Sequence, residues 1–218
     1  MTSITAETAM DVWCKALSQI QQNGKEYIER NNRSCIEMRN LLLTIERCDQ
    51  TILEPIHVLT RSDKWIYPDL GDVAQVILSP KSASSYDYSY GKRLFSTSDA
   101  VNQIDGFVVP ILQKDPTSRK AVALLFDPQT DSNPLNKENP SMIAFDFKIR
   151  DGKLHITGFI RSSDMFIGWP ANIYQMYVIQ EYVAKKLHVP LGSMTTISTS
   201  AHIFAEHLVD IAKILKIK

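Results

Sequence analysis

The chain has 218 residues, 44% hydrophobic and 22% charged, so it can fold around a buried core and is too apolar to be disordered. Its 24 Lys and Arg residues balance its 24 Asp and Glu residues, which argues against nucleic acid or an anionic membrane as a partner. No apolar run approaches the roughly 20 residues of a membrane span, and no signal-peptide pattern opens the chain. We therefore expect a single domain over residues 1–218, located in the cytoplasm.

The cysteines indicate the redox and metal chemistry to expect. The three of them, Cys14, Cys35 and Cys48, are odd in number and lack the Cys-x-x-Cys spacing of a metal site. The pattern predicts free thiols, no disulfide scaffold and no bound metal.

The first part of the chain predicts a helix followed by a strand. Apolar residues recur at three- and four-residue steps over residues 5–23, with Thr5 as a candidate N-cap and Gly24 as the stop. Residues 35–45 alternate and then become wholly apolar, which is typical of a strand that enters a core. The mixed, partly Ser- and Tyr-rich stretch 46–96 predicts loops with short helices.

The middle of the chain predicts a helix, a strand and a long loop. The helix covers about residues 98–114, and Gly106 and Pro110 should bend or interrupt it. The apolar run 121–126 predicts a buried strand, and the polar stretch 127–140 predicts an extended loop.

The last part of the chain begins with a predicted hairpin. Strands over residues 142–149 and 153–161 flank Asp151-Gly152, a dipeptide that favours a tight hairpin turn. A helix over residues 171–187 follows, and its apolar residues fall on one face: Ile173, Met176, Tyr177, Ile179 and Val183. The remaining predicted elements are a strand near 194–204 and a helix over about 205–216.

Three short segments carry polar residues suited to ligand binding: "SRK" (118–120), "RSSDMFIGWPANIY" (161–174) and "AHIF" (201–204). Arg161 and Ser162 could bind a phosphate, because a guanidinium matches phosphate oxygens and a hydroxyl adds a donor. The alternative is a surface ion pair between Arg161 and Asp164. Asn172 could cap a helix or pair with a pyrimidine edge, since its amide both donates and accepts. His202, between apolar residues, could equally be a core histidine.

Read together, these segments resemble the thymidylate synthase family, including the pyrimidine hydroxymethylases that share its fold. The residues that carry the resemblance are "NQIDGFVVPILQKDPTSRKAVALLFDP", "DFKIRDGKLHITGFIRSSDMFIGWPANIYQM", "SAHIFAEHL" and, more weakly, "YSYGKRL". It runs from about Tyr90 to Leu215, and the part before Tyr90 is similar to the shorter archaeal-type members. The resemblance implies an α+β fold with one large, twisted, mixed sheet covered by helices, whose open face is buried in a homodimer.

The resemblance also implies a reaction. Family members bind a pyrimidine nucleoside monophosphate, add a cysteine thiolate to C6 of the ring, and transfer a one-carbon unit from 5,10-methylenetetrahydrofolate to C5. In this sequence Arg161 and Ser162 would bind the phosphate, with Arg119 and Lys120 reaching from the second subunit and Arg33 as a further cation. The resemblance implies no metal.

The resemblance also implies roles for four further residues. Asn172 would recognise uracil, and His202 would hold the sugar. Asp164 would take part in catalysis and anchor the pterin ring by accepting its N–H groups. Tyr90 would order the water molecules that move protons near C5.

This chain departs from the family pattern at three positions, which are Ser141, Lys120 and Phe204. An ungapped match places the family's nucleophilic cysteine at Ser141, twenty residues before Arg161. A serine hydroxyl ionises far less readily than a thiol, whose pKa is about 8.5, so almost no alkoxide forms at neutral pH. Lys120 replaces an arginine and keeps its charge but loses the forked geometry. Phe204 replaces a tyrosine and lacks its hydroxyl contact to the sugar.

Three explanations of Ser141 stay open. The first is an engineered Cys-to-Ser variant that traps the nucleotide on an active thymidylate synthase or hydroxymethylase. The second is an enzyme with an altered nucleophile that transfers a one-carbon unit to a uridylate-type nucleotide, and we adopt this hypothesis. The third is an inactive nucleotide-binding homologue or partner subunit. The sequence does not distinguish ribo- from deoxyribonucleotide, or a methyl from a hydroxymethyl product.

Overall fold

The computed structural model describes residues 2–29, 31–62, 64–81, 89–97, 100–136 and 139–216. The β-strands in chain order are β1 (Thr2–Ala6), β2 (Lys25–Ile28), β3 (Ser34–Ile45), β4 (Val122–Leu124), β5 (Met142–Arg150), β6 (Lys153–Ile160), β7 (Ser163–Asp164) and β8 (Leu191–Phe204). The α-helices are α1 (Ala9–Asn23), α2 (Glu54–Thr60), α3 (Leu70–Ile77), α4 (Tyr90–Phe95), α5 (Val109–Lys114), α6 (Pro128–Asp131), α7 (Gly168–Leu187) and α8 (Leu208–Lys216).

These strands form one mixed sheet in the order β1-β3-β8-β6-β5-β4, with β2 paired to β3 and β7 paired to β8 off that path. Strand β1 runs parallel to β3, with Thr2 opposite Leu41. Strands β2 and β3 are antiparallel, as are β4 and β5. The predicted α+β class, with a large mixed sheet covered by helices, is confirmed.

The chain divides into two compact units, each built from separate stretches of sequence. Unit 1 contains Met1–Tyr67, Ile160–Tyr174 and Thr195–Lys218. Unit 2 contains Pro68–Phe159 and Gln175–Met194. The single domain expected from the sequence stays a prediction. No helix in the described part of the chain is long and apolar enough to span a bilayer.

Helix α1 supplies much of the core of unit 1. Its buried side chains recur at helical spacing: Ala9, Val12, Trp13, Cys14, Ala16, Leu17 and Ile20. The Trp13 ring stacks on Phe166 with 6.0 Å between centroids. Its Nε1 donates a hydrogen bond to the Met165 carbonyl at 2.7 Å, so the one polar atom of the buried indole is satisfied.

The predicted start of this helix is wrong. Thr8 is the N-cap, and its Oγ1 accepts a hydrogen bond from the Asp11 amide at 3.1 Å. Thr5 lies in β1 opposite Thr44. Both threonines suit a cap, and pairing with β3, far along the chain, decides between them. The predicted stop is confirmed, since Gly24 is the C-cap of the helix. A Cβ at this position would lie 2.6 Å from the Ile20 carbonyl oxygen, so a larger residue does not fit there.

Strand β3 pairs with β8 and, along different parts of its length, with β2 and β1. Its first residues, 34–37, pair with β2, and residues 41–45 pair with β1. Asn40, between them, has a φ of 57°, in the left-handed region that asparagine tolerates better than most residues. The sequence predicted β3 but neither β1 nor β2.

In unit 2 the predicted hairpin is confirmed. Strands β5 and β6 are joined by Asp151 and Gly152, with φ values of 49° and 70°, as a tight two-residue hairpin turn requires. Phe145 and Phe147 of β5 are buried. Gly158 of β6 leaves room for the Met176 sulfur, which would lie 2.7 Å from an added Cβ.

Helix α7 begins three residues earlier than predicted, at Gly168. Its predicted buried face is confirmed for Ile173, Met176, Ile179 and Val183. Tyr177 is only half-buried, whereas Tyr174 and Gln180 are buried in addition. Gln180 satisfies its amide nitrogen by donating to the Leu154 carbonyl at 2.8 Å.

The middle helix is shorter than predicted and irregular. A single π-helical turn covers Ile104–Val108, and α5 follows it directly, with Pro110 in its first turn. Strand β4 has only three residues, at the edge of the sheet, and Leu124 is exposed. The loop predicted for residues 82–88 and the helix start at 98–99 lie outside the described residues.

Candidate active site

Ser141 lies immediately before β5, and in unit 2 it meets the first residue of α4. Its Oγ is 3.1 Å from the Tyr90 Oη. The same phenolic oxygen accepts hydrogen bonds from the Ser141 and Met142 amides, each at 3.2 Å. Two residues that the sequence placed 51 positions apart are therefore in direct contact.

The two amide bonds hold the Tyr90 oxygen in place. The Ser141 and Met142 amides both donate to it, which keeps the phenol next to the Ser141 hydroxyl. In the bond between the two hydroxyls, either oxygen can be the donor.

In unit 1, the segment after β6 carries the candidate phosphate and pterin residues. Arg161 is exposed and Ser162 is half-buried. The Arg161 carbonyl accepts a hydrogen bond from the Thr199 hydroxyl at 2.7 Å, which fixes the backbone of this segment to β8. The predicted surface pair between Arg161 and Asp164 stays a prediction.

Asp164 holds the turn into α7. Its Oδ1 accepts from the Phe166 amide at 2.9 Å and from the Ile167 amide at 3.2 Å. Strand β7 pairs with β8 in parallel register, so that Asp164 lies opposite His202. These bonds use one carboxylate oxygen, and a carboxylate offers about four acceptor positions in all.

His202 is buried on β8, with its ring centroid 5.1 Å from that of Phe204. Burial lowers the pKa of His202, and the negative charges of Asp164 and Glu37 oppose the shift only in part. The imidazole is therefore neutral at pH 7, with one donor and one acceptor nitrogen. Its Nδ1 is buried without a hydrogen-bond partner among the described residues.

Arg33 is engaged in unit 1 by two groups that the sequence did not connect with it. Its guanidinium carbon lies 3.3 Å from the centroid of the Phe204 ring. Its Nη2 donates to the Glu206 carboxylate at 2.6 Å. The hydrogen bond to Glu206 raises the pKa of Arg33, and the same bond lowers the pKa of Glu206. The positive charge of Arg33 is thus already balanced.

The remaining predicted residues lie in two places. Asn172 is half-buried in the first turns of α7, in unit 1. Arg119 and Lys120 are exposed on the loop before β4, in unit 2. Both side chains point into solvent, as expected of residues that would reach another subunit, although their role stays a prediction.

Sequence reasoning missed the residues that support the site. Glu206 follows the quoted "AHIF" segment, and nothing in its spacing links it to Arg33. His207, next to it, is buried against Trp65 and Phe166, with ring centroids 4.9 and 5.1 Å away. Arg93, one turn after Tyr90, binds two aspartates, one buried and one half-buried. Only the fold brings these residues together.

The three cysteines are free, as predicted, and all three are buried. Burial raises the pKa of Cys14 and of Cys35, which makes both thiols poor nucleophiles. Among the described residues, no group of three or more His, Cys, Asp or Glu side chains could hold a metal ion.

Comparison with known proteins identifies the family of the chain. The family model described as Thymidylate synthase matches residues 63–218. Two archaeal relatives are each named "Putative thymidylate synthase". The one from Methanosarcina barkeri is 35% identical over 202 residues, covering 92% of this chain and 88% of the relative. The one from Methanococcoides burtonii is 33% identical over 214 residues, covering 98% and 94%.

A viral relative is named for a related reaction. The Deoxyuridylate hydroxymethyltransferase of Bacillus phage SP01 is 34% identical over 159 residues, which are 65% of this chain and 42% of the phage protein. The family match covers well over half of the chain and agrees with the resemblance found in its motifs. The chain belongs to the thymidylate synthase family.

Proposed function

We propose that this protein binds a uridylate-type nucleoside monophosphate and transfers a one-carbon unit to C5 of its ring, with Ser141 at the position of the family's nucleophile. Family membership supports the general reaction, and the name of the phage relative supports a deoxyuridylate-like substrate. The observation that carries the proposal is the contact between Tyr90 and Ser141 at 3.1 Å, because it unites two of the residues assigned by resemblance.

The residues of unit 1 would hold the nucleotide. Arg161 and Ser162 bind the phosphate, as the fork of a guanidinium and a hydroxyl can do together. Asn172 pairs with the uracil edge through its donor and acceptor atoms. His202 binds a sugar hydroxyl through its neutral imidazole. Arg33 joins the phosphate ligands only when it leaves Glu206, to which it is bonded at 2.6 Å.

Asp164 fits the pterin ring of methylenetetrahydrofolate. Its Oδ1 is fixed by two backbone amides, so the orientation of the carboxylate is set. Its remaining acceptor positions can take the N–H groups of a pterin. When bound, the folate supplies the one-carbon unit.

A second candidate function is nucleotide binding without turnover. Among the described residues, the Ser141 hydroxyl is hydrogen-bonded to the phenol of Tyr90, which is a poor base for removing a serine proton. Each pKa unit that separates a nucleophile from the reaction pH costs about 1.4 kcal/mol, and a serine hydroxyl lies many units above a thiol. Such a protein would be a binding homologue or a partner subunit of an active enzyme.

Calorimetry tests the binding that both candidates share. We expect dUMP or UMP to bind, and the cytidine monophosphates to bind more weakly, because cytosine presents a donor where Asn172 would donate. The Arg161→Ala variant should lose at least about tenfold in affinity through the lost charge-assisted bonds. If none of the four nucleotides binds, the proposal is wrong.

Release of tritium from C5-labelled nucleotide separates the two candidates. Release by the unmodified protein with methylenetetrahydrofolate supports the transferase, and the mass of the product then identifies a methyl or a hydroxymethyl group. Binding without release, with release restored by Ser141→Cys, supports the binding homologue or a trapped variant.

The predicted homodimer is also part of the proposal. Arg119 and Lys120 are exposed, and by resemblance they reach the phosphate of a neighbouring subunit. Mixing the Arg119→Ala and Arg161→Ala proteins should restore nucleotide binding in part, because each mixed dimer holds one intact set of residues. Light scattering that shows a monomer at micromolar concentration would contradict this arrangement.

A further inference from the structure

Within unit 2, Tyr90 and Ser141 are connected a second time, through the polar segment that precedes Ser141. The connection starts at Arg93, one turn after Tyr90 in α4. Its Nη1 lies 2.9 Å from the Asp127 carboxylate, and its Nη2 lies 2.8 Å from the Asp131 carboxylate. Arg93 is thus a clamp between α4 and the segment around α6.

The clamp is largely shielded from solvent, and every carboxylate oxygen in it has a partner. Arg93 is 14% exposed, Asp127 16% and Asp131 5%. The second oxygen of Asp127 caps α6 by accepting from the Gln129 amide at 3.0 Å. The second oxygen of Asp131 accepts from the Asp127 amide at 2.7 Å. A shielded ion network with all its acceptors satisfied holds one geometry, since any other leaves a charge unpaired.

From the clamp, hydrogen bonds lead on to Ser141. The Arg93 Nη1 also donates to the Thr130 hydroxyl at 2.8 Å. The Asn136 amide then joins Thr130 to Asn139, donating to the Thr130 carbonyl at 2.8 Å and to the Asn139 Oδ1 at 3.2 Å. Asn139 is two residues before Ser141. This path leads from Tyr90 through Arg93 and Asn136 to Ser141. The direct contact between Tyr90 and Ser141 closes it into a ring.

Helix α4 depends on such contacts for its position. With six residues it is too short to be stable alone. Gln103 holds its carboxyl end, by donating to the Arg93 carbonyl at 2.8 Å and to the Leu124 carbonyl at 2.7 Å. Gln103 ties α4 to β4, whereas only the Arg93 side chain, among the contacts described above, ties it to the segment that leads to Ser141.

We propose that Arg93 is a positioning residue, which keeps the Tyr90 hydroxyl in hydrogen-bond contact with Ser141 by fixing residues 127–136 against α4. The effect on turnover rests on the proposed function, but the positioning itself does not. Loss of the clamp would free residues 127–136, which lead to Ser141, without removing any group that is proposed to touch the substrate.

The test uses the reactivity of a thiol at position 141 and needs no nucleotide. In the Ser141→Cys protein, the Tyr90 hydroxyl would donate to the sulfur and stabilise the thiolate, which is the reactive form. Alkylation by iodoacetamide, followed by mass spectrometry of the peptide, measures that reactivity. Adding Arg93→Met should slow it about tenfold, within the range of coupling between residues of one hydrogen-bond network. Arg47→Met is the matched control, because Arg47 also binds two carboxylates, at 2.6 and 3.0 Å, but is exposed.

A double-mutant cycle with Tyr90→Phe separates positioning from general loosening. If Arg93 acts through Tyr90, the Arg93→Met change has no further effect in the Tyr90→Phe background. An unchanged rate, a faster rate, or equal slowing in both backgrounds would overturn the proposal. Arg93→Lys keeps the charge but cannot bond both aspartates as a fork does, so it should give an intermediate rate and serves where Arg93→Met does not fold. If nucleotides fail to bind while the cycle behaves as expected, the proposed function is wrong and the positioning role stands.

Discussion

The phenolic oxygen of Tyr90 serves the backbone as well as Ser141, and this double use determines how substitutions at the pair will act. Two amides and one hydroxyl meet at that oxygen, at 3.1 to 3.2 Å. Removing the oxygen leaves two amide donors unsatisfied, whereas removing the serine hydroxyl takes away one hydrogen-bond partner.

We expect Tyr90→Phe to lower the free energy of unfolding by about 1–3 kcal/mol, the cost of leaving partly buried donors unpaired. Ser141→Ala should cost less than about 1 kcal/mol, since the Tyr90 hydroxyl can turn to water. Urea unfolding followed by circular dichroism measures both. Equal losses in the two variants would contradict the role of the Tyr90 oxygen as acceptor of two amide hydrogen bonds.

The Arg33–Glu206 pair supplies a second prediction. If Arg33 is a phosphate ligand, Glu206 competes with the nucleotide for it, and Glu206→Gln should tighten nucleotide binding. An exposed ion pair is worth up to about 1 kcal/mol, so the gain should be about two- to fivefold. Glu7→Gln, which breaks a comparable 2.6 Å pair with Arg47, is the control and should change nothing. Weaker binding in Glu206→Gln would contradict the competition between Glu206 and the nucleotide for Arg33.

Among the elements, α4 is packed unusually closely on α3. A Cβ added to Gly91 would lie 2.1 Å from the Val76 carbonyl oxygen and 2.7 Å from that of Ser79. Because those atoms belong to the backbone, they cannot move aside as a flexible side chain would. The helix that carries Tyr90 therefore requires glycine at its second position.

Gly91→Ala should destabilise the protein by about 2–4 kcal/mol, the range seen when core overpacking forces the backbone to shift. Gly106→Ala is the matched control, because a Cβ there meets no atom within 4 Å. That change should be neutral or stabilise by up to about 1 kcal/mol, since alanine favours helical backbone. Thermal unfolding of both variants decides the matter, and similar losses would show that the close approach is not what sets the stability.

The elements that the sequence predicted well are those specified by local patterns. The β5–β6 hairpin follows from Asp151-Gly152, and the buried face of α7 follows from its apolar spacing. Strand β1 was missed because it depends on parallel pairing with β3, some 40 residues away. Strand β2 was missed because all four of its residues are exposed and show no alternation.

The same distinction holds in the candidate site. The roles assigned to Arg161 and Asn172 came from a resemblance carried by contiguous motifs, and those roles stay predictions. Tyr90 and Ser141 were both singled out from the sequence, but their contact depends on how α4 and β5 pack. The clamp at Arg93 and the pair of Arg33 with Glu206 have no signal in the sequence, because each joins residues whose spacing follows no period.

For the whole molecule, buried histidines make stability depend on pH. Burial lowers the pKa of both His202 and His207 in the folded state. Histidines in the unfolded chain bind protons below about pH 6.5. In this pH range the unfolded state therefore binds more protons than the folded state. The free energy of unfolding should therefore be highest above pH 6.5 and fall as the pH decreases through that value.

We expect a loss of about 1–2 kcal/mol between pH 6.5 and 5.5, since one histidine contributes at most about 1.4 kcal/mol per pH unit. Urea unfolding at several pH values measures this slope. Replacing both histidines by glutamine should flatten it. Loss of stability towards higher pH in this range would mean that the histidines are charged in the folded protein.

The aromatic cluster around His207 contains a tryptophan, Trp65, whose fluorescence should respond to changes at Arg33 and His207. Trp13 and Trp169 are wholly buried, so their fluorescence should vary little with solvent or ligand. Trp65 is half-buried, with its ring 4.9 Å from that of His207, whose neighbour Glu206 holds Arg33 over Phe204. Events that release Arg33 or charge the imidazole should therefore change the emission of Trp65 alone, and a fluorimeter could follow them without any attached dye.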